Sequence, residues 1–149
     1  MRKFALALGV AAAAVASPAL ANEGRVEARG GIAWAGGNEE AIAGVAAGYD
    51  FDLDPAGGAF IGVEGSADKI LVSGSDVLFG VTGRIGTKLG AGKLYANGGY
   101  SFNEGDAWHL GAGYEHKVGA NTYLKGEYRR YLLNGTDINA AVIGVGFGF

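Results

Sequence analysis

Ile138-Asn139-Ala140-Ala141-Val142-Ile143-Gly144-Val145-Gly146-Phe147-Gly148-Phe149 closes the chain. From Asn139 onward, Ala141, Ile143, Val145, Phe147 and Phe149 share one phase, and Ala140, Val142, Gly144, Gly146 and Gly148 share the other. A period of two is a strand. One of its faces is apolar and ends in two aromatics; the other is nearly bare. A soluble sandwich rarely shows so large an apolar face on its last strand, whereas a strand turned toward lipid requires one.

The rest of the composition agrees. The chain has 149 residues, 29 Gly, 2 Pro and no Cys. That is one domain's length, without disulfides or thiolate metal sites. Gly is too common for a helical protein and lacks a Gly-X-Y period. The formal net charge is −3, and removing Arg2 and Lys3 with a leader takes it to −5. That acidity argues against a nucleic-acid partner.

Residues 1–21 read as a secretory signal peptide. Met1-Arg2-Lys3 is a positive start, Phe4 to Ala16 an apolar run, and Ala19-Leu20-Ala21 a cleavage signal. The run is too short to span a bilayer as a helix, and no later run is long enough. A membrane protein made from residues 22–149 must therefore be a barrel.

Alternation between breaks predicts eight strands, at 25–35, 41–51, 59 to about 68, 76–89, 93–102, 107–118, 122–132 and 138–149. Lys69 to Ser75 reads equally as a loop or a strand extension. Strands of about ten residues suit a tilted bilayer crossing. Eight is even, so both chain ends share one side. The short lead after the cleavage site makes that side the periplasm, with odd strands running outward.

The expected lipid face carries Val26, Ile32, Val45, Ile61, Val63, Val81, Ile85, Leu94, Leu110 and Leu124, with aromatics at two heights. Trp34, Tyr100, Phe102, Trp108 and Tyr128 fall in the outer halves of their strands. Tyr49, Phe51, Tyr114, Phe147 and Phe149 fall in the inner halves. Amphipathic rings at each interface give such belts. The opposite phase carries Arg25, Asp50, Lys88, Lys93, His109 and Lys117, and a central charge network of Glu27, Arg29, Glu64, Arg84, Glu115, Lys125, Glu127 and Arg129. An eight-stranded barrel is just wide enough for side chains to fill, so those charges must pair or hold water.

The signal peptide, eight alternating strands, short turns, ionic lumen and terminal Phe resemble the small bacterial outer-membrane barrels: the OmpA transmembrane domain, OmpX and the opacity-like porin family. The resemblance implies an all-β, eight-stranded antiparallel transmembrane β-barrel in the outer membrane of a Gram-negative bacterium. It implies partners in outer-membrane lipid and lipopolysaccharide, and the barrel-assembly machinery and periplasmic chaperones during biogenesis, with Phe147 and Phe149 in the assembly signal. A monomer is expected. The peptidoglycan-binding domain of OmpA has no counterpart in this sequence, and the outer loops are shorter than those of adhesive relatives.

No catalytic, cofactor or metal site is expected, and the protein reads as a non-enzyme. His109 is placed in the lumen and His116 on the outside or at the inner interface, with no Ser assigned to complete a triad. Asp50, Asp52 and Asp54 open like a calcium loop, but Pro55 and Ile61 break that pattern, leaving a polar turn at the periplasmic rim. Arg130 breaks the outward apolar phase near the outer rim, where it could meet lipopolysaccharide phosphate or simply snorkel. The expected role is structural, in envelope integrity, with a plugged lumen. The alternatives are a narrow porin-like channel and a surface adhesin.

Overall fold

The computed structural model describes residues 23–54, 58–103 and 105–149. The expected signal peptide, the 55–57 part of one turn and Glu104 lie outside them. Eight antiparallel strands form a closed barrel in simple up-and-down order: β1 (Glu23–Ala35), β2 (Asn38–Asp52), β3 (Ala59–Ile70), β4 (Val77–Leu89), β5 (Gly92–Phe102), β6 (Ala107–Lys117), β7 (Thr122–Leu132) and β8 (Ile138–Gly148). No helix among the described residues is long and apolar enough to cross a membrane; a barrel crosses with its strands.

All eight expected strands are present, and β7 has the expected bounds. The β1–β2 hairpin is tighter than expected. Gly36 and Gly37 both take positive φ, 57° and 90°, which is what a two-residue turn between twisted strands demands. Ala35 therefore pairs directly with Asn38, and β2 includes Glu39 and Glu40, which the sequence assigned to a break. The ambiguous segment divides: β3 continues to Ile70, and residues 71–76 form the loop.

Closure comes from β1 against β8, Arg25 opposite Gly148 through Trp34 opposite Asn139. At the inner end Gly24 and Phe149 exchange both backbone hydrogen bonds at 2.9 Å. The register runs unbroken through Gly30 and Gly31, so Ile32 and Trp34 keep the outward phase.

The distribution of apolar groups is inverted relative to a soluble protein. Among the described residues, 24 large apolar side chains are exposed, Ile143 at 72% and Trp108 at 67% among them. The interior holds charges. Such a continuous apolar exterior is stable in hydrocarbon and not in water. Aromatics near the outer end meet in pairs: Tyr100 with Trp108 at 5.1 Å between ring centroids, Phe79 with Phe102 at 6.0 Å, and Trp34 with Tyr128 at 6.2 Å. At the inner end Phe51 covers Tyr49 at 5.0 Å. Tyr49 has the outward phase but is only 8% exposed, so Phe51, not Tyr49, presents the belt surface there. Tyr114 stacks on His116 at 6.2 Å.

Candidate functional site

The candidate site is the lumen. Period-two alternation sends one side chain in two inward, and the inward set is mostly ionic. Six bases (Arg25, Arg29, Arg84, Lys93, Lys125, Arg129) and six acids (Glu27, Asp50, Glu64, Asp68, Glu115, Glu127) are buried together. The counts cancel, so the described interior has no net formal charge.

Glu64 on β3 is the hub. Its Oε2 accepts from Arg25 Nη1 at 2.7 Å, and its Oε1 from Arg29 Nη1 at 3.2 Å and Arg129 Nη2 at 3.3 Å. Lys125 Nζ stands 3.9 Å away. Bases from two strands, β1 and β7, thus converge on one carboxylate of a third. Arg129 also donates to Glu127 at 2.6 Å, and Lys125 donates to Glu27. Above the hub Arg29 holds Asp68 through Nε at 2.8 Å and Nη2 at 2.5 Å, the planar two-point match of guanidinium to carboxylate.

Below the hub Arg84 binds Asp50 with Nε at 2.8 Å and also with Nη2, and reaches Glu115 with Nη1 at 2.9 Å. Lys93 joins Asp50 at 3.0 Å and Glu23 at 2.7 Å. All eight residues expected in the central network are brought together. Asp50 and Asp68 belong with them; the former was noted only on the inward face and the latter lay where β3 was expected to fade. The Asp50-Asp52-Asp54 series is not one polar turn. Asp50 is in the lumen, Asp52 pairs with Lys88 at 2.6 Å at the rim, and Asp54 accepts from the Gly58 and Ala59 amides at 3.3 and 3.1 Å.

Inward aromatics complete the filling. Tyr95 donates to Glu127 at 2.7 Å and Tyr123 to Glu27 at 2.9 Å. Each ring lies across a bare glycine of the neighbouring strand: a Cβ on Gly113 would run into Tyr95, and one on Gly146 into Tyr123. Arg84 sits over the Tyr95 ring at 4.7 Å and the Phe60 ring at 5.2 Å, a favourable cation–aromatic arrangement. These aromatics lie in the inward phase, where only the charged residues were singled out from the sequence.

His109 is in the lumen as expected and is bridged on both ring nitrogens, by Ser101 Oγ and Thr82 Oγ1 at 2.9 Å each. A Ser therefore stands beside His109, with no carboxylate on the ring to complete a triad. The imidazole's second partner is a hydroxyl rather than a carboxylate, and His109 and Ser101 are each 2% exposed. Arg130 points outward at the rim and is held by Asp137 Oδ2, through Nε at 3.0 Å and Nη2 at 2.7 Å. No cluster of three or more potential metal-ligating side chains occurs among the described residues.

The outer third of the lumen is not ionic. Ala33, Ile42, Ala107, Tyr131, Ala140 and Val142 form a buried apolar cluster there, with Leu78, Leu133 and Ile138 packed on it.

No protein-family model matches the chain, and no curated protein matches it. Solved structures match its fold. The N-terminal β-barrel domain of OprF from Pseudomonas aeruginosa is 17% identical, with a TM-score of 0.65 over 85% of this chain and 97% of that one. Ail, the attachment invasion locus protein of Yersinia pestis, is 14% identical with a TM-score of 0.60 over 86% and 97%. A de novo designed transmembrane β-barrel is 17% identical with a TM-score of 0.57 over 89% and 98%. The chain has the fold of the small eight-stranded transmembrane barrels, and the expected resemblance holds at that level. Likeness of fold does not carry an activity with it.

Proposed function

We propose that this protein is a non-enzymatic integral barrel of the Gram-negative outer membrane that serves envelope integrity as a plugged structural element. The observation that carries this reading is the neutral, interlocked lumen: six buried bases against six buried acids, with Glu64 tied to three arginines. Buried ions that satisfy one another hold the wall strands in fixed register and leave no unpaired charge to draw an ion through. The exposed apolar belt supports membrane residence, and the fold shared with OprF and Ail supports the outer membrane as its address. Outer-membrane lipid is its solvent. Biogenesis through the assembly machinery, with Phe147 and Phe149 read as a signal, and a monomeric state belong to the same reading. A lipopolysaccharide phosphate would have to compete with Asp137 for Arg130.

A narrow channel is the second reading, favoured by one observation. Arg25, Ser66, Asn97 and Arg129 each keep buried polar atoms without hydrogen-bond partners, groups suited to water. An adhesive role finds less support. The described outer rim carries Glu39, Glu40, Asp76, Asp106 and Asp137 against Lys69 and Arg130, and the loops there are short.

Single-channel recording of the refolded protein in a planar bilayer tests the proposal, after a heat-dependent gel shift has shown that the barrel formed. Silence is expected from the parent, and small stable steps would replace the plug with the channel. Glu64→Gln or Arg84→Met should raise the leak, because each leaves a buried charge uncompensated.

A further inference from the structure

The apolar cluster in the outer third of the lumen does not fill its space. A cavity of about 150 Å³ lies there, lined by Ala33, Ile42, Asp68, Ala107, Tyr131 and Leu133 among others. Its burial is graded. The base residues Ala33, Ile42, Asp68, Ala107 and Tyr131 are 3–6% exposed, while Leu78, Leu133 and Ile138 at the rim are only half-buried. That gradient describes a cup, closed toward the charge network and open past the 105–106 and 133–137 segments.

The walls set the chemistry of an occupant. They are aliphatic and aromatic, so the occupant is apolar. The one acid at the base, Asp68, already takes two bonds from Arg29. The base is thus a neutral ion pair, with no net charge to hold a cation or an anion. Volume sets the size, since an apolar cavity of about 150 Å³ admits one benzene-sized molecule. The mouths of β-barrels are recurrent ligand sites for the same geometric reason: strands converge on a pocket that the turns leave open.

We propose that the outer mouth of this barrel is a binding cup for one neutral, single-ring apolar molecule. The cup sits above the charge network, whose outermost pair, Asp68–Arg29, forms its floor. The occupant enters from the outer side, past Leu133, and stops at Tyr131 and the Asp68–Arg29 pair. The cup is a dead end and not a passage, because the ion pairs beneath it offer an apolar molecule no onward path.

Fluorobenzene is a suitable probe, titrated into the whole protein purified from membranes and held in lipid nanodiscs. Amide shifts report the site, and protein-free nanodiscs give the lipid background. Saturable shifts confined to Ala33, Ile42, Ala107 and Tyr131 are expected. Ala107→Leu fills the base and should abolish them. Ala112→Leu, on the lipid-facing phase of the same strand, should leave them intact. Leu133→Asp alters only the half-buried rim, so it keeps the test open if Ala107→Leu does not fold; it should weaken binding. Shifts that never saturate, that spread over outward residues such as Val45 and Val81, or that persist unchanged in Ala107→Leu or Leu133→Asp would overturn the proposal.

Discussion

Replacing Glu64 with Gln keeps the size and shape of the hub and removes its charge. In the parent, Glu64 is 3% exposed and accepts bonds from Arg25, Arg29 and Arg129 at 2.7 to 3.3 Å. A hydrogen bond to a charged partner contributes roughly 1 kcal/mol more than a neutral one, so three weakened bonds cost about 3 kcal/mol. The Gln amide nitrogen is also a donor, and whichever way it turns it meets a guanidinium donor. A total of about 3–5 kcal/mol follows, in line with removing one partner of a buried ion pair. Urea unfolding in lipid vesicles, followed by the fluorescence of Trp34 and Trp108, measures it. The companion Glu64→Gln/Arg129→Gln restores equal numbers of buried acids and bases and should recover part of the loss. The two sites are in contact, so their effects should not add. A Glu64→Gln barrel within about 0.5 kcal/mol of the parent, the scatter ordinary for a surface change, would refute the hub.

Gly111→Ala places a Cβ against the Tyr128 carbonyl oxygen, a backbone atom that cannot step aside, so a loss of about 1–3 kcal/mol is expected in the same assay; an unchanged midpoint would contradict the close approach of β6 and β7. Deleting Phe149 removes both terminal backbone bonds to Gly24 and the ring lying over it, and should lower the folded fraction on vesicle refolding and the amount recovered from the outer membrane. Normal recovery of both would count against it. Trp108, 67% exposed, should be quenched strongly by brominated acyl chains, and Trp108→Phe should remove most of that quenching. A quenching level indifferent to Trp108 would dispute its place in the lipid-facing belt.

The wall of the barrel was legible in the sequence because period-two alternation is local. One correct phase in β8 or β7 sorts every side chain of the strand. The central ion pairs followed from the same sorting, since an inward acid in a narrow barrel must meet an inward base. Three features were less legible, each for a spatial reason. The Gly36-Gly37 turn shortened a five-residue break to two, because a positive φ at both positions lets Glu39 and Glu40 join the ladder. Asp68 lay in the inward phase but beyond the point where apolar alternation faded; its partner Arg29 is 39 positions away. Ser101 and His109 are eight positions apart on different strands, and only the β5–β6 register brings them side by side. The graded burial of the outer cup has no local signature, since seven strands contribute to it.

The closure of β1 on β8 also governs how the chain reaches this state. Seven of the eight strand pairings join neighbours in sequence and can zip from a short turn. The last one joins Arg25 to Gly148, so nearly the whole chain must be looped before it forms. The entropy of closing a loop on the order of 120 residues is about 4 kcal/mol, against far less for a hairpin. Until that moment both strands present open edges, and an open edge recruits any extended chain nearby. Folding should therefore show an early, fast rise in hairpin structure and a slow final step. Crowding of unfolded chains during that interval should divert them into aggregates, while the finished barrel, having no edge, is indifferent to it.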